Sequence, residues 1–415
     1  MSRDFNGGGV HRQFGFRGKF SILSVLVFVL TYFLPFCYAI AADSPVQTIW
    51  FYKPPLSGGT LQTVANNFDR AILTRGDEDE RIELQSFGMN EPYLVYVRGD
   101  TIHAPCGGSC PCADKPAYNQ IAWNIGDYCD ILANHSDWFL RDDAGALITI
   151  PQYGIDRIYM DPANAGWRSF FLDRVSQFHV VSGWDGVYMD NIDTSLNRFN
   201  RSGINLQKYP DHISWQNAVS GFLAYLYSNY FNPANVPLSA NITEMGGQGH
   251  IWSAYIENLD AGFHESFGVD WEDGYRSVDR WEEDLDRVDQ SVAMGKRVFL
   301  VSQGAKNALN RQKFALASYL LVSHDDVYFR YNDSSAYRAI WLYNNYDVEL
   351  GDPLGSRQFV GGAWRREFTN GYVQVDPANQ TAEIVVDNTQ PPVSPPPTNT
   401  QGGSKPMPWL WLLLE

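Results

Sequence analysis

The segment Gly183-Trp184-Asp185-Gly186-Val187-Tyr188-Met189-Asp190-Asn191-Ile192-Asp193 delivers an Asp-Asn pair straight from a short apolar run. A carboxylate at the tip of a buried strand is held rigidly, which a nucleophile or a stabiliser of developing positive charge requires. An Asp after a strand can instead cap a helix, and Asp193 is equally placed for that duty, which leaves Asp190 free for chemistry. A second acid, Glu265, follows the run Gly262-Phe263-His264, with His264 and aromatic residues around it that can bound a cleft. Desolvation in such a place raises the pKa of a carboxylic acid, as a general acid needs. The competing role for Glu265 is pairing with an arginine.

Paired carboxylates flanking a scissile bond are what glycoside hydrolysis requires, and their separation sets the stereochemical outcome. Asp190 and Glu265 are the expected pair, and sequence alone does not give their spacing. Glu244, after Ala240-Asn241-Ile242-Thr243, is the competing second carboxylate but lies further past its strand. Asp161, after Arg157-Ile158-Tyr159-Met160, is a third strand-tip acid in which Asp-Pro also makes a good turn. Asp100, Asn241, Gln303 and His324 are further strand-end polar groups, and Trp184, Trp252 and Trp271 can stack on sugar rings. The expected substrate-binding set is therefore Asp100, Asp161, Trp184, Asn191, Asn241, Glu244, His264 and Gln303. The histidines show no H-x-H or H-E-x-x-H spacing, and no glycine-rich nucleotide motif follows a strand, so neither a metal nor a cofactor is expected.

These residues need a scaffold. Strand-like runs occur at 48–52, 93–97, 186–189, 237–240, 262–264, 297–301 and 327–329, without the polar alternation of a half-exposed sheet. Helical periodicity lies between them at 167–178, 215–230, 281–292 and 313–322. Such alternation predicts a (β/α)8 TIM barrel over residues 46–345, whose active site lies at the C-terminal ends of the strands. An open doubly wound sheet is the alternative. Residues 346–387 read as a small C-terminal β appendage, with short runs at 364–368, 371–375 and 382–386 separated by Asn370-Gly371 and Asp376-Pro377. Residues 388–415 read as a Pro/Thr/Gly-rich linker and a short apolar tail, whose Gly402-Gly403-Ser404 and following apolar run leave cell-surface attachment open.

The N-terminus reads as a signal peptide over 1–41: Arg12, Arg17 and Lys19 precede the apolar run Phe20–Phe36, and Ala39-Ile40-Ala41 supplies the small-residue site. A secreted, periplasmic or cell-surface bacterial protein is thus expected, with a retained membrane anchor as the alternative. Cys106, Cys110, Cys112 and Cys129 fall in one short loop-like segment. Disulfides suit an oxidising compartment, three pairings are open, and zinc is the rival use. The formal charge is −16; residues 1–41 carry four basic residues and one acidic residue, a net +3, so the remainder is near −19. Such a surface repels phosphate backbones, so nucleic acid is not an expected partner, and long anionic substrates would need a basic cleft lining.

Three stretches carry a family likeness: Trp138-Phe139-Leu140-Arg141-Asp142, Tyr159-Met160-Asp161-Pro162 and Gly183–Asn191. With Gly351-Asp352-Pro353-Leu354 and the later run Trp364–Pro377, they make roughly residues 46–387 resemble the hypothetical family-15-like group of glycoside hydrolases. That group tends to end R-x-F-x-x-G-x-V-x-V-N-P. Arg366, Phe368, Gly371, Val373 and Pro377 match, while Asp376 replaces the usual Asn. The resemblance implies a barrel acting on a polysaccharide or oligosaccharide. The order of a strand-tip Asp followed by a later Glu is also similar to dextranase-like retaining glycosidases, which implies Asp190 as nucleophile and Glu265 as acid/base. Two other readings remain: a non-catalytic carbohydrate-binding surface protein on a degenerate barrel, with the two acids far apart or separately salt-bridged, and a metal-dependent hydrolase or deacetylase.

Overall fold

The computed structural model describes residues 46–387 except 57, 118, 153, 154, 247, 248, 272 and 273; the signal-like segment 1–41 and the tail 388–415 lie outside the described residues. Eight parallel strands follow one another around a single sheet in chain order. They are β1 (Ile49–Phe51), β2 (Arg70–Thr74), β3 (Leu94–Arg98), β4 (Gly186–Asp193), β5 (Leu238–Thr243), β6 (Ala261–His264), β7 (Arg297–Gln303) and β8 (Val327–Asn332). A parallel bridge between Thr48 and Phe329, with the Phe329 N–H donating to the Gln47 carbonyl at 2.8 Å, joins last to first. The sheet is thus a closed (β/α)8 barrel.

Its strands read as unbroken apolar runs because both faces are covered. Inward-facing side chains include Phe51, Tyr96, Tyr188, Phe263, Phe299 and Tyr328, which make one buried aromatic cluster with Ile49, Ile72, Leu94 and Val301. The outward faces pack beneath helices such as Ala165–Ser182, His212–Leu226, Val278–Ala293 and Leu309–Leu320. Where neighbours crowd, glycine leaves them room. A Cβ on Gly99, just past β3, would lie 2.7 Å from Ile192 Cδ1 and 3.3 Å from the Asp190 carbonyl oxygen.

Two additions flank the barrel. Between β3 and β4 the chain folds a three-stranded antiparallel sheet from Thr101–His103, Thr149–Gln152 and Ile155–Tyr159, with the last strand in the centre. Disulfides Cys106–Cys112 and Cys110–Cys129 staple the same insertion. After the barrel, strands Gln358–Val360, Ala363–Phe368, Gly371–Asp376 and Thr381–Val386 form an antiparallel meander. It is fastened to the helical shell by Trp364 Nε1 on Glu282 at 2.8 Å, and by Arg366 on the carbonyls of Leu320 and Ser323 at 3.1 and 2.9 Å.

The structure departs from the sequence reading in two places. β2 was not among the expected strands; Arg70-Ala71-Ile72-Leu73-Thr74 has only three apolar residues, too short a run to stand out. Arg157–Tyr159, expected to deliver Asp161 from a strand tip, belongs to the insertion sheet and not to the barrel. No described helix is long and apolar enough to cross a membrane.

The barrel interior predicts its own sensitivity. Phe263 is wholly buried against Phe51, Tyr188 and Phe299. Phe263→Ala should cost about 3–5 kcal/mol through lost transfer energy and a cavity. Denaturant unfolding reads the loss, and one under about 1 kcal/mol would contradict a close-packed interior.

Candidate active site

β4 and β5 fall out of step at their C-terminal ends. Met189 pairs with Ala240 and Ile192 with Ile242, so Asp190 and Asn191 together oppose Asn241 alone. A bulge of this kind re-aims side chains at a barrel rim. Asn191 takes the left-handed conformation, φ 61°, and both its side chain and that of Asp190 enter the mouth. The Asp190 carboxylate accepts from Asn191 Nδ2 at 2.7 Å, from Asn241 Nδ2 at 3.0 Å and from the Tyr96 hydroxyl on β3. Arg198, ion-paired to Asp193 at 2.8 Å, donates to Asn191 Oδ1 at 3.1 Å and fixes the amide's orientation.

Glu265 follows β6 directly, one strand beyond Asn241. It accepts from Asn241 Nδ2 at 2.7 Å and from the Tyr337 hydroxyl at 2.5 Å. Gln303, at the end of β7, donates to that hydroxyl at 2.6 Å and to the Glu265 carbonyl at 2.9 Å. One Asn241 amide nitrogen thus joins both acids, so their facing oxygens can be no further apart than its two bonds laid end to end, about 5.7 Å. Burial raises the Glu265 pKa to about 8, and the neighbouring Asp190 charge adds to the rise against the opposing bonds from Tyr337 and Asn241. At neutral pH Glu265 therefore holds a proton.

Around this pair opens a cavity of about 740 Å³, lined by Tyr52, Tyr96, Tyr337, Trp271 and a set of arginines as well as the two acids. Asn191, Asn241, Glu244 and His264 also line it, and Gln303 is buried behind Tyr337. Glu244 is bound at the rim by Arg201 at 2.8 Å. The His264 ring meets Asp284 at 2.8 Å; Asp284 also holds Arg276 at 2.8 Å and Arg287 at 2.6 Å. Asp100, Asp161 and Trp184 are not among the lining residues. Asp100 lies behind the wall on Arg98 at 2.7 Å. Asp161 is buried against Lys208 at 2.6 Å and Tyr209. Trp184 precedes β4, at the opposite end of the barrel, and donates to Glu78 at 3.2 Å. Trp252 is buried on Ser291, Trp271 is 49% exposed at the rim, and His324 precedes β8.

Sequence reasoning missed Tyr96, Tyr337 and the arginines. Tyr96 reads as one more core aromatic inside β3, and Tyr337 sits in a loop without strand or motif. Arg98 was the legible one, since a charged residue closing an apolar strand marks the mouth.

The fold and mouth define a TIM barrel with paired carboxylates at the C-terminal ends of its strands. The family model of the hypothetical glycosyl hydrolase family 15 matches residues 110–372, and the chain belongs to that family. No curated protein matches the sequence. Among solved structures, the glycoside hydrolase domain of PelA from Pseudomonas aeruginosa is 16% identical, with a TM-score of 0.44 over 73% of this chain and 96% of that one. The noncanonic maltogenic alpha-amylase AmyB from Thermotoga neapolitana is 10% identical, with a TM-score of 0.47 over 81% and 87%. The alpha-galactosidase TtGalA from Thermus thermophilus is 12% identical, with a TM-score of 0.44 over 81% and 67%.

The raised Glu265 pKa has a thermodynamic sign. The folded state holds this proton to higher pH than the unfolded chain does, so the associated stability is present at acid pH and lost as pH rises through about 8. Glu265→Gln, which cannot ionise, should gain in Tm relative to the wild type as pH is raised from 5 to 8.5. A difference that stays level across that range would contradict the buried, protonated acid.

Proposed function

We propose that this protein is an exported glycosidase that cleaves O-glycosidic bonds of a polysaccharide or oligosaccharide with retention of configuration. The observation that carries the reading is the Asp190–Asn241–Glu265 bridge. Retaining enzymes hold their carboxyl groups about 5–5.5 Å apart and inverting enzymes about 6.5–9.5 Å, and facing oxygens bridged by one amide within about 5.7 Å support the shorter class. Asp190 is the nucleophile: its carboxylate attacks the anomeric carbon while Glu265 passes its proton to the departing glycosidic oxygen. The resulting glycosyl ester on Asp190 is hydrolysed when the Glu265 carboxylate takes a proton from the attacking water. Tyr96 and Asn191 hold the nucleophile, and Tyr337 holds the acid/base. Asn241 and Glu244 are placed to meet sugar hydroxyls, and Trp271 offers an aromatic face at the rim.

Export is supported by the Arg-rich start, the apolar run and Ala39-Ile40-Ala41, together with two disulfides, which persist in oxidising compartments. The non-catalytic reading called for carboxylates far apart or separately salt-bridged. Here they share one amide, and among the described residues neither forms an ion pair.

Assayed on a polysaccharide panel, Asp190→Ala and Glu265→Ala should each lower sugar release by at least about a thousandfold with little change in Tm. Proton NMR of the first product should show the substrate's anomeric configuration. Glycan binding without release would favour the binding protein, and an active Glu265→Ala enzyme would move the acid/base role to Glu244. The wild-type kcat/KM should also fall on an alkaline limb near pH 8, as Glu265 loses its proton. An unchanged limb in a residually active Glu265→Gln enzyme would assign that ionisation elsewhere.

A further inference from the structure

Six arginines line the catalytic cavity: Arg98, Arg157, Arg198, Arg201, Arg276 and Arg280. Five have a carboxylate partner. Arg98 pairs with Asp100 at 2.7 Å, Arg198 with Asp193 at 2.8 Å, Arg201 with Glu244 at 2.8 Å, Arg276 with Asp284 at 2.8 Å and Arg280 with Asp270 at 3.9 Å. Arg157 has none among the described residues. It is 7% exposed, its Nε is buried without a hydrogen-bond partner, and no described protein group accepts from its guanidinium. The insertion sheet puts it there: Arg157 lies on the central strand, flanked in register by His103 and Ile150. Burial lowers its pKa and the neighbouring Arg98 charge lowers it further, against the opposing fields of Asp100 and Asp190, neither of which pairs with it.

A guanidinium keeps its proton at neutral pH, so a buried one without a paired carboxylate is costly unless an anion arrives. Its planar fork is matched by a carboxylate or a sulfate, each of which accepts two parallel hydrogen bonds. We propose that Arg157 is the anchor of a subsite for a sugar residue bearing an anionic substituent, a uronic-acid carboxylate or a sulfate ester, next to the sugar attacked by Asp190. This rests on the glycosidase reading for its choice of ligand class. The folded insertion, which no barrel strand requires, is then the specificity element of the site.

The test is calorimetric binding to the Glu265→Gln protein. One set of probes is galacturonate, glucuronate and mannuronate oligosaccharides, each beside its methyl ester; the other is sulfated oligosaccharides beside their desulfated forms. At least one anionic form should bind about tenfold or more tighter than its neutral counterpart, the size expected of charge-assisted bonds, and the gap should narrow with salt. Preference in the uronate arm identifies the carboxylate, and preference in the sulfated arm identifies the ester. Added Arg157→Gln should bring each pair level, and Arg157→Lys should keep part of the gap; thermal melts confirm that both variants are folded. No preference in either arm overturns the proposal, and so does a preference that survives Arg157→Gln. If Arg157 only tuned Asp190, the variant would weaken turnover of neutral and acidic forms alike and leave the binding ratio unmoved. Anion preference without hydrolysis by the wild type would sink the glycosidase reading and keep this one. Hydrolysis of neutral glycans without preference would do the reverse.

Discussion

The mouth of this barrel is organised by two carboxyl groups held close together in a partly desolvated place. Like charges that near cannot both be carried without a large penalty, so one group keeps a proton and the other needs donors. Adjacent strands supply the solution in sequence: β4 carries Asp190 near its end, β5 carries Asn241, and Glu265 directly follows β6. The two N–H groups of a single amide reach both acids, and the amide therefore fixes their spacing as well as their polarity. The bulge in β4 follows from the same requirement. Without its extra residue, Asp190 and Asn191 would obey the pleat and face opposite sides of the sheet, and only one could reach the mouth.

Residues remote from the acids hold this arrangement. Tyr337 reaches Glu265 from a loop, and that loop is tied down by Arg330 inside the barrel. Arg330 donates to the Tyr337 and Ala339 carbonyls at 2.8 and 3.2 Å and to the Phe51 carbonyl, with the Trp50 ring 4.4 Å from its guanidinium. Burial pushes its pKa down to about 9, which leaves it charged at neutral pH. On the other flank, Asp284 gathers His264, Arg276, Arg287 and the Gly268 N–H, and so fixes the backbone on either side of Glu265. These buried charges add little net stability in themselves, but removing one partner strands the others in a dry interior. Rigidity of the site is thus enforced by the penalty for disrupting it.

The sequence made visible what depends on local pattern. Uninterrupted apolar runs marked seven of the barrel strands, and turn residues marked the C-terminal meander, since burial on both faces and tight reversals each leave a short-range signature. Asp190, Asn191, Asn241 and Glu265 were legible because they stand directly after such runs. Asp161 and Trp184 were misleading for a physical reason: a strand tip in an inserted sheet, or a residue entering a strand, looks the same in one dimension as a residue leaving a barrel strand. Tyr337 and Arg157 could not be read at all. Tyr337 acts through a contact across 72 residues, and the proposed role of Arg157 comes from the absence of a partner among the described residues; neither leaves a trace in spacing.

Charge sets the remaining puzzle. A chain with a formal charge of −16 would be expected to keep anionic polymers away, yet the cavity at its barrel mouth is lined by six arginines and only three described carboxylates. The two facts act over different distances. Surface charge is screened within about 8 Å at physiological salt, so it influences encounter more than contact. A guanidinium shielded by the insertion sheet acts at hydrogen-bond range, where screening is weak. With Arg157 acting as proposed, the acidic exterior disfavours densely charged chains at long range, while the mouth rewards an isolated anionic group once a chain has entered. Under the proposed function, that combination would select for sparsely charged or short glycans, a narrower class than either feature would define alone.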